Sequence, residues 1–176
     1  VASGWDIDLK AARRRGTRIL GLCGGYQMLG NSVADPGGAE GPPGSSAGLG
    51  LLAVETVLTG AKTLKAVRGR SFATGREVAG YEMHLGETSG PDRARPLLEI
   101  DGRNEGAGSA DGLVAGTYVH GIFASDAFRA AYLAELRPGR RGALAYDALI
   151  EGTLDDLARH LEEHLPLDRL LEFARR

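Results

Sequence analysis

One stretch constrains this chain more than any other: Arg18-Ile-Leu-Gly-Leu-Cys23-Gly-Gly-Tyr-Gln27-Met-Leu-Gly30. An apolar run, Ile19, Leu20 and Leu22, reads as the end of a buried strand. It stops at Cys23 and is followed at once by Gly24 and Gly25, which let the backbone turn sharply into a segment of helical character, Tyr26 to Leu29. A strand that turns this tightly into a helix is an elbow. It projects its corner side chain into the open, beside free backbone N–H groups and the positive end of the helix. A thiol held there is expected to have a lowered pKa and to attack carbonyl carbon. A lone cysteine is more commonly a small buried core residue. The two flanking glycines favour the nucleophile here.

Cys23 is the only cysteine among 176 residues, so no internal disulfide forms, and a free thiol suits a reducing, cytoplasmic compartment. The apolar share of 43% and charged share of 25% are those of an ordinary globular domain with a real core. A formal charge of −2 gives no electrostatic reason to expect nucleic acid or a membrane surface as a partner. No apolar run approaches a membrane span, and no secretory signal is visible. With four histidines and no second cysteine, the usual zinc-ligand spacing is absent. The chain begins at Val1 rather than Met and opens abruptly into Trp5-Asp-Ile-Asp-Leu9, which reads as a fragment.

The pattern predicts a helix over 5–15 with Trp5, Ile7 or Leu9, and Ala12 facing inward. Gly16 is its C-cap and Arg13 to Arg15 form a solvated end. Residues 32–48 read as a Gly/Pro/Ser-rich loop. Strands are expected at 50–58, 63–72, 79–86, 97–100 and 112–119, with a Gly-rich turn region at 101–111. In the third strand Tyr81, Met83 and Leu85 share one face, and Glu82 and His84 the other. Ser125 caps a helix over 126–136. A basic linker follows from Pro138 to Gly142. A helix over 146–165 carries Leu149, Ile150, Leu154, Leu157 and Leu161 at helical spacing, read as a core-facing stripe. Pro166 ends it before a last short helix. Residues 1–136 read as a partial domain and 137–176 as a helical extension packed on it.

A cysteine nucleophile needs a base. His160 and His164, four apart among Glu162 and Glu163, read as solvated. His84 lies on a strand's polar face. His120 follows the apolar strand Leu113 to Val119 and precedes Gly121, which sets an imidazole at a strand's C-terminal end, where open α/β sheets place their sites. The pattern therefore pairs Cys23 with His120, with a hydrogen-bonded turn residue as the alternative reading of His120.

Gly21-Leu-Cys23-Gly-Gly25-Tyr-Gln27 resembles the G-x-C-x-G-x-Q pattern of class I, triad-type glutamine amidotransferases. Several further segments resemble the glutaminase domain of the cobyric acid synthase family. They are Asp35-Pro36, Gly48-Leu-Gly-Leu-Leu52, Gly80-Tyr-Glu-Met-His84-Leu-Gly86, Gly116-Thr-Tyr-Val-His120-Gly-Ile-Phe123 and the tail Leu157 to Leu171. The resemblance covers nearly the whole chain. It implies an α/β, flavodoxin-like fold, N-terminally truncated, with a mostly parallel central sheet flanked by helices. It implies glutamine hydrolysis through a thioester on Cys23, with His120 as base, the Gly24 N–H as an oxyanion donor and Gln27 at the glutamine pocket. No metal site is implied in this segment. ATP and Mg²⁺ are expected on a separate N-terminal synthetase domain, which amidates a corrinoid, adenosylcobyrinic acid a,c-diamide, on the way to cobalamin. Two departures stand out. Ile122 occupies the position where class I enzymes carry a histidine-orienting Glu, so a dyad is expected. No G-x-x-x-x-G-K-[ST] loop occurs, and the first part of the amidotransferase domain, with the family's second oxyanion donor, is missing as well, so these residues alone are expected to have little or no glutaminase activity and no ATP-dependent ligation. The alternatives are the glutaminase subunit of a lipid II-type amidotransferase, a non-catalytic amidotransferase-like binding domain, and a cysteine peptidase.

Overall fold

The computed structural model describes residues 4–137, 139 and 145–174. Helix α1 (Trp5–Arg14) leads into strand β1 (Ile19–Leu22) and then helix α2 (Gly24–Leu29). Gly16, at φ +78°, closes α1 by donating its N–H to Arg13, while Thr17 donates to Ala12. That is a Schellman end, which needs a left-handed residue at this position. Only Leu9 of the expected inner face packs against the core; Trp5 and Ile7 are exposed. Arg13 is not merely solvated, because it pairs with Asp111 at 2.9 Å and ties α1 to the turn before Val114, 98 residues away in the chain.

The 32–48 segment is not the loop its composition suggests. Strands β2 (Ser32–Asp35) and β3 (Gly44–Ala47) form an antiparallel hairpin, and β2 continues in parallel pairing onto the next strand. The Asp35 carboxylate closes the turn by accepting the N–H groups of Ala39 and Glu40 at 2.7 and 2.9 Å. Every residue of β3 is exposed, so the strand needs backbone pairing and no apolar side chains. The strands expected at 50–58 and 63–72 are one, β4 (Glu55–Ser71), interrupted between Val57 and Lys62 where its register with β5 (Glu77–Ser89) shifts. Residues 50–54 lie outside it and send Leu51, Leu52 and Val54 into the core.

The Gly-rich 101–111 stretch also holds strands. After β6 (Leu98–Ile100) come β7 (Arg103–Glu105) and β8 (Ala107–Gly108), then β9 (Val114–Thr117) and β10 (Val119–His120). These separate into two sheets: β1-β9-β8, and a seven-stranded sheet in the order β10-β5-β4-β2-β3, with β6 and β7 joined to it through β4. The arrangement is α/β. Among the described residues, parallel pairing is confined to β1 with β9 and β2 with β4, because the long β4–β5 hairpin makes most of the larger sheet antiparallel.

Each sheet has its own core. Tyr26, Leu29, Leu52, Val54, Val114 and Tyr118 gather around the small sheet. Val67, Val78, Leu98, Ile100, Val119 and Phe128 gather between the large sheet and α3 (Asp126–Leu136). Ser125 caps α3, its hydroxyl accepting the Phe128 N–H, as the sequence suggests. Helix α4 (Tyr146–His164) is where the expectation fails: none of its residues is buried, and Leu149, Leu154 and Leu157 are each about half exposed. Its described contacts lie at its start, where the Tyr146 N–H donates to Asp126 and Arg129 lies over the Tyr146 ring. Amphipathic spacing gives a helix an apolar face but does not name what covers it. In helix α5 (Leu167–Ala174), Leu170, Leu171 and Phe173 are exposed as well. Of the basic linker at 138–142, all but Gly139 lies outside the described residues. No described helix is long and apolar enough to cross a membrane.

Candidate functional site

Cys23 stands between β1 and α2, as the elbow pattern suggests, but the turn is carried differently. The unusual backbone is that of Cys23 itself, at φ 53° and ψ −117°, while neither following glycine has a positive φ. Such a conformation costs a residue with a Cβ on the order of 1–3 kcal/mol and persists only where the surroundings enforce it. Here they do. The Cys23 N–H donates to the Thr117 carbonyl at 2.9 Å, continuing the β1–β9 ladder through the corner, and the Cys23 carbonyl accepts from Gln27 in the first turn of α2. A Cβ added at Gly24 or Gly25 would meet nothing within 4 Å, so the glycine pair leaves open space beside the thiol. The Gly24 N–H is the first of the helix and has no acceptor within it.

The thiol Sγ lies 3.3 Å from the Met83 carbonyl oxygen on β5, toward which it donates. Four residues along the chain, Gln27 donates its Nε2 to the Leu85 carbonyl, at 3.1 Å, on the same strand. The elbow and the first turn of α2 are thus laid along β5. His120 lies along the same strand. It pairs with Tyr81 across the β10–β5 ladder, and the two rings stack at 5.0 Å with 5° between their planes. Thiol and imidazole therefore flank positions two residues apart on β5, a rise of about 7 Å. The His120 Nε2 is buried, with no hydrogen-bond partner among the described residues.

The two faces of β5 are unequally covered. Tyr81 and Met83 are the exposed side chains, and Glu82, at 3% exposure, is the buried one. Glu82 sits opposite Val119 rather than His120, and its carboxylate is taken by Arg103. It is on the wrong face to orient the His120 ring. His84 shares the Glu82 face, stacks on Tyr118 at 3.9 Å, and sets its Nδ1 3.2 Å from the Gly86 carbonyl. Burial pushes the His84 imidazole below its ordinary range, against the pull of Glu82. His160 and His164 stack on one another on exposed α4, away from these strands.

Four residues that sequence reasoning missed build the floor. The Tyr118 hydroxyl meets Gln27 Nε2 at 3.3 Å and Thr88 Oγ1, which in turn meets Thr56 Oγ1 at 2.7 Å. Glu105 is the fourth; it accepts from the Thr117 hydroxyl at 2.5 Å and the Tyr118 N–H at 2.8 Å. Burial raises the Glu105 pKa, partly offset by those two donors. A cavity of about 480 Å³ lies behind Tyr118, lined by Tyr26, Glu82, His84, Thr88 and Glu105 among others. The signal for Glu105 was faint: one acid beside Gly106 in a stretch otherwise read as turn.

Residues 1–128 match the family described as CobB/CobQ-like glutamine amidotransferase domain. The chain is 59% identical over 174 residues to a cobyric acid synthase of Cereibacter sphaeroides, covering 99% of this chain and 36% of that protein. It is 59% identical over 175 residues to one of Methylorubrum populi, with the same two shares. The chain thus spans about a third of the length of these curated relatives. Among solved structures, that of PurLQS from Thermotoga maritima superposes with a TM-score of 0.54 at 19% identity, covering 75% of this chain and 68% of that one, which is a likeness of fold. With Cys23 on its elbow, the β5 strand shared by thiol and imidazole, and the matches in sequence and fold, the chain belongs to the CobB/CobQ-like glutamine amidotransferase family.

Proposed function

We propose that this chain is the glutaminase part of a cobyric acid synthase. The observation that supports it most is the elbow: a cysteine held in a strained conformation, its thiol and the His120 ring set along one strand. In this reading the Cys23 sulfur attacks the side-chain carbonyl carbon of glutamine. His120 takes the thiol proton and returns it to the departing nitrogen, which leaves as ammonia. The Gly24 N–H, uncommitted within the helix, donates to the oxyanion that develops on the carbonyl oxygen, a contact worth on the order of 3 kcal/mol where it has been removed elsewhere. Water, activated by His120, then opens the thioester to release glutamate. Gln27, fixed by the Leu85 carbonyl and Tyr118, borders the pocket.

Residues 1–136 form the amidotransferase part and 137–176 a helical extension of it. The ammonia serves an ATP-dependent ligation of adenosylcobyrinic acid a,c-diamide in the cytoplasm, carried out by a synthetase region such as the relatives' greater length accommodates. ATP and Mg²⁺ belong to that region; this chain has no G-x-x-x-x-G-K-[ST] loop to seat them.

The test uses the protein from its complete reading frame with ATP, Mg²⁺ and the a,c-diamide, following corrinoid mass beside a Cys23→Ala variant. Amidation that the variant performs with free ammonia but not with glutamine is the expected result. Glutamine-dependent amidation that survives Cys23→Ala overturns the role of the thiol. Glutaminase activity without any corrinoid product overturns the acceptor.

A further inference from the structure

We infer that Glu105 is the positioning residue of this site, setting the relation of Cys23 to His120 although it touches neither. This rests on the glutaminase reading for its kinetic consequences and on geometry for the rest.

The chain passes between the two sheets twice at one place. It leaves the large sheet at Glu105, the end of β7, and enters the small one at Ala107, the start of β8. It returns from Thr117, the end of β9, to Val119, the start of β10. A strand that changes sheets leaves both ladders at the change, so the backbone there must find other partners. The Tyr118 N–H falls in that gap and is buried. The Glu105 carboxylate takes it with one oxygen and the Thr117 hydroxyl with the other. The Thr117 oxygen in turn accepts the Val119 N–H at 3.0 Å. All the groups concerned are close to fully buried: Glu105 is 3% exposed, Thr117 and Val119 are at 0%, and Tyr118 is at 6%.

The two halves of the site hang from this crossing. Upstream, the Thr117 carbonyl holds the Cys23 N–H and with it the strained corner. Downstream, Val119 leads directly to His120, whose ring is placed by the β10–β5 register. The angle at residues 117–119 therefore sets where the imidazole stands relative to the thiol. Glu105 is the side chain that fixes that angle. The usual orienting acid of class I enzymes, two residues after the histidine, is Ile122 here, and Glu82 is engaged by Arg103 on the other face. Glu105 acts earlier in the chain, on the backbone that carries the ring.

The test compares Glu105→Gln and Thr117→Val with wild type in the protein from its complete reading frame. Each is normalised to titratable thiol and assayed well below its unfolding temperature. Glu105→Gln keeps the shape but loses one acceptor; Thr117→Val keeps the shape but loses the hydroxyl, so each removes the opposite end of one hydrogen bond. Misplacement of a catalytic pair costs rate rather than binding, so kcat for glutamine hydrolysis should fall by roughly tenfold to a hundredfold with KM within about twofold. The double variant should be little worse than the poorer single one, since both break one unit. Gly16→Ala, which strains the left-handed end of α1 and touches no residue of the crossing, should lower the unfolding temperature and leave kcat per thiol unchanged. Alkylation of Cys23 by iodoacetamide asks nothing of glutamine and should slow several-fold in the same two variants. Absence of glutaminase activity in wild type, with the alkylation differences intact, would sink the functional reading and leave this inference standing. Equal kcat per thiol and equal alkylation rates in wild type, Glu105→Gln and Thr117→Val would overturn it.

Discussion

Gly116 lies under the ring that anchors the elbow, and Gly116→Ala tests how tightly that anchor is held. A Cβ at this position would stand 2.1 Å from Cδ2 of Tyr26 and 2.6 Å from its Cγ, far inside van der Waals contact. The backbone of Gly116 is in the ordinary strand region, so alanine brings no conformational strain and the conflict is steric alone. Tyr26 has little room to move: it is 1% exposed and packs edge-to-face on Tyr118 at 5.0 Å. Overpacking of this kind costs about 1–3 kcal/mol, and the reduced freedom of the unfolded chain returns about 0.5–1 kcal/mol. With ring atoms that cannot bend aside, a net loss of about 2 kcal/mol is expected, or about 4–8 °C in Tm for a chain of this size. Urea unfolding of a double-mutant cycle reads it. In a Tyr26→Ala background the clashing atoms are gone, and Gly116→Ala should become neutral or stabilising. In a Tyr26→Phe background the ring remains and the full cost should persist. Tyr26→Phe by itself should cost little, because the hydroxyl it removes is buried with no partner among the described residues. A Gly116→Ala protein within about 0.5 kcal/mol of wild type, or one whose loss is the same beside Tyr26→Ala, would refute the packing argument.

The strain at Cys23 predicts that Cys23→Gly is more stable than Cys23→Ala by about 1 kcal/mol, since both lack the thiol and only alanine keeps a Cβ at φ 53°; equal urea midpoints would mean that the corner is unstrained. Glu105 carries a pKa raised above the ordinary 4.5. An acid protonated more readily in the folded state adds stability that is full below its unfolded pKa and lost as pH rises through the folded one. The stability gap between Glu105→Gln and wild type, from urea melts at about pH 4, 5.5 and 7, should therefore move in favour of the variant with rising pH; a gap that is flat or moves the other way contradicts the burial assigned to this carboxylate.

What the sequence made legible were features written in consecutive residues. The apolar run ending in Cys23, the left-handed Gly16, and Ser125 three residues before an N–H that needs an acceptor are each local, and each lies where the pattern puts it. What it hid depended on distant partners. Alternation in β5 separates Tyr81 and Met83 from Glu82 and His84, but it cannot say which set faces inward. Hydrophobicity alone would favour the apolar set. Burial went instead to Glu82, whose charge is met by Arg103, 21 residues away in the chain. The exposed face is apolar because it carries the site: Tyr81 supplies the surface on which His120 stacks, and the Met83 carbonyl meets the thiol. The hairpin of β2 and β3 escaped for a related reason, since backbone pairing on a fully exposed edge leaves no hydrophobic period to read. The leucine stripe of α4 was read correctly as a helix and incorrectly as a buried one.

Glu105 was the costliest omission, and the reason is geometric. A sequence can announce a strand, but not that a strand will abandon one sheet for another halfway along. Gly112 to Val119 reads as one apolar run; in space, Val114 belongs to the core around Tyr26 and Val119 to the core around Phe128. The break between them, at Thr117 and Tyr118, strands a buried N–H and a buried hydroxyl. Leaving either unpaired costs about 1–3 kcal/mol, so a break of this kind requires a buried acceptor close by. A carboxylate fits, having acceptor capacity for two donors at once. The same break supplies the site with its two arms, one sheet presenting the thiol and the other the imidazole. An active pair built across two sheets is only as well defined as the joint between them, and that joint is made by one side chain that neither alternation nor motif could single out.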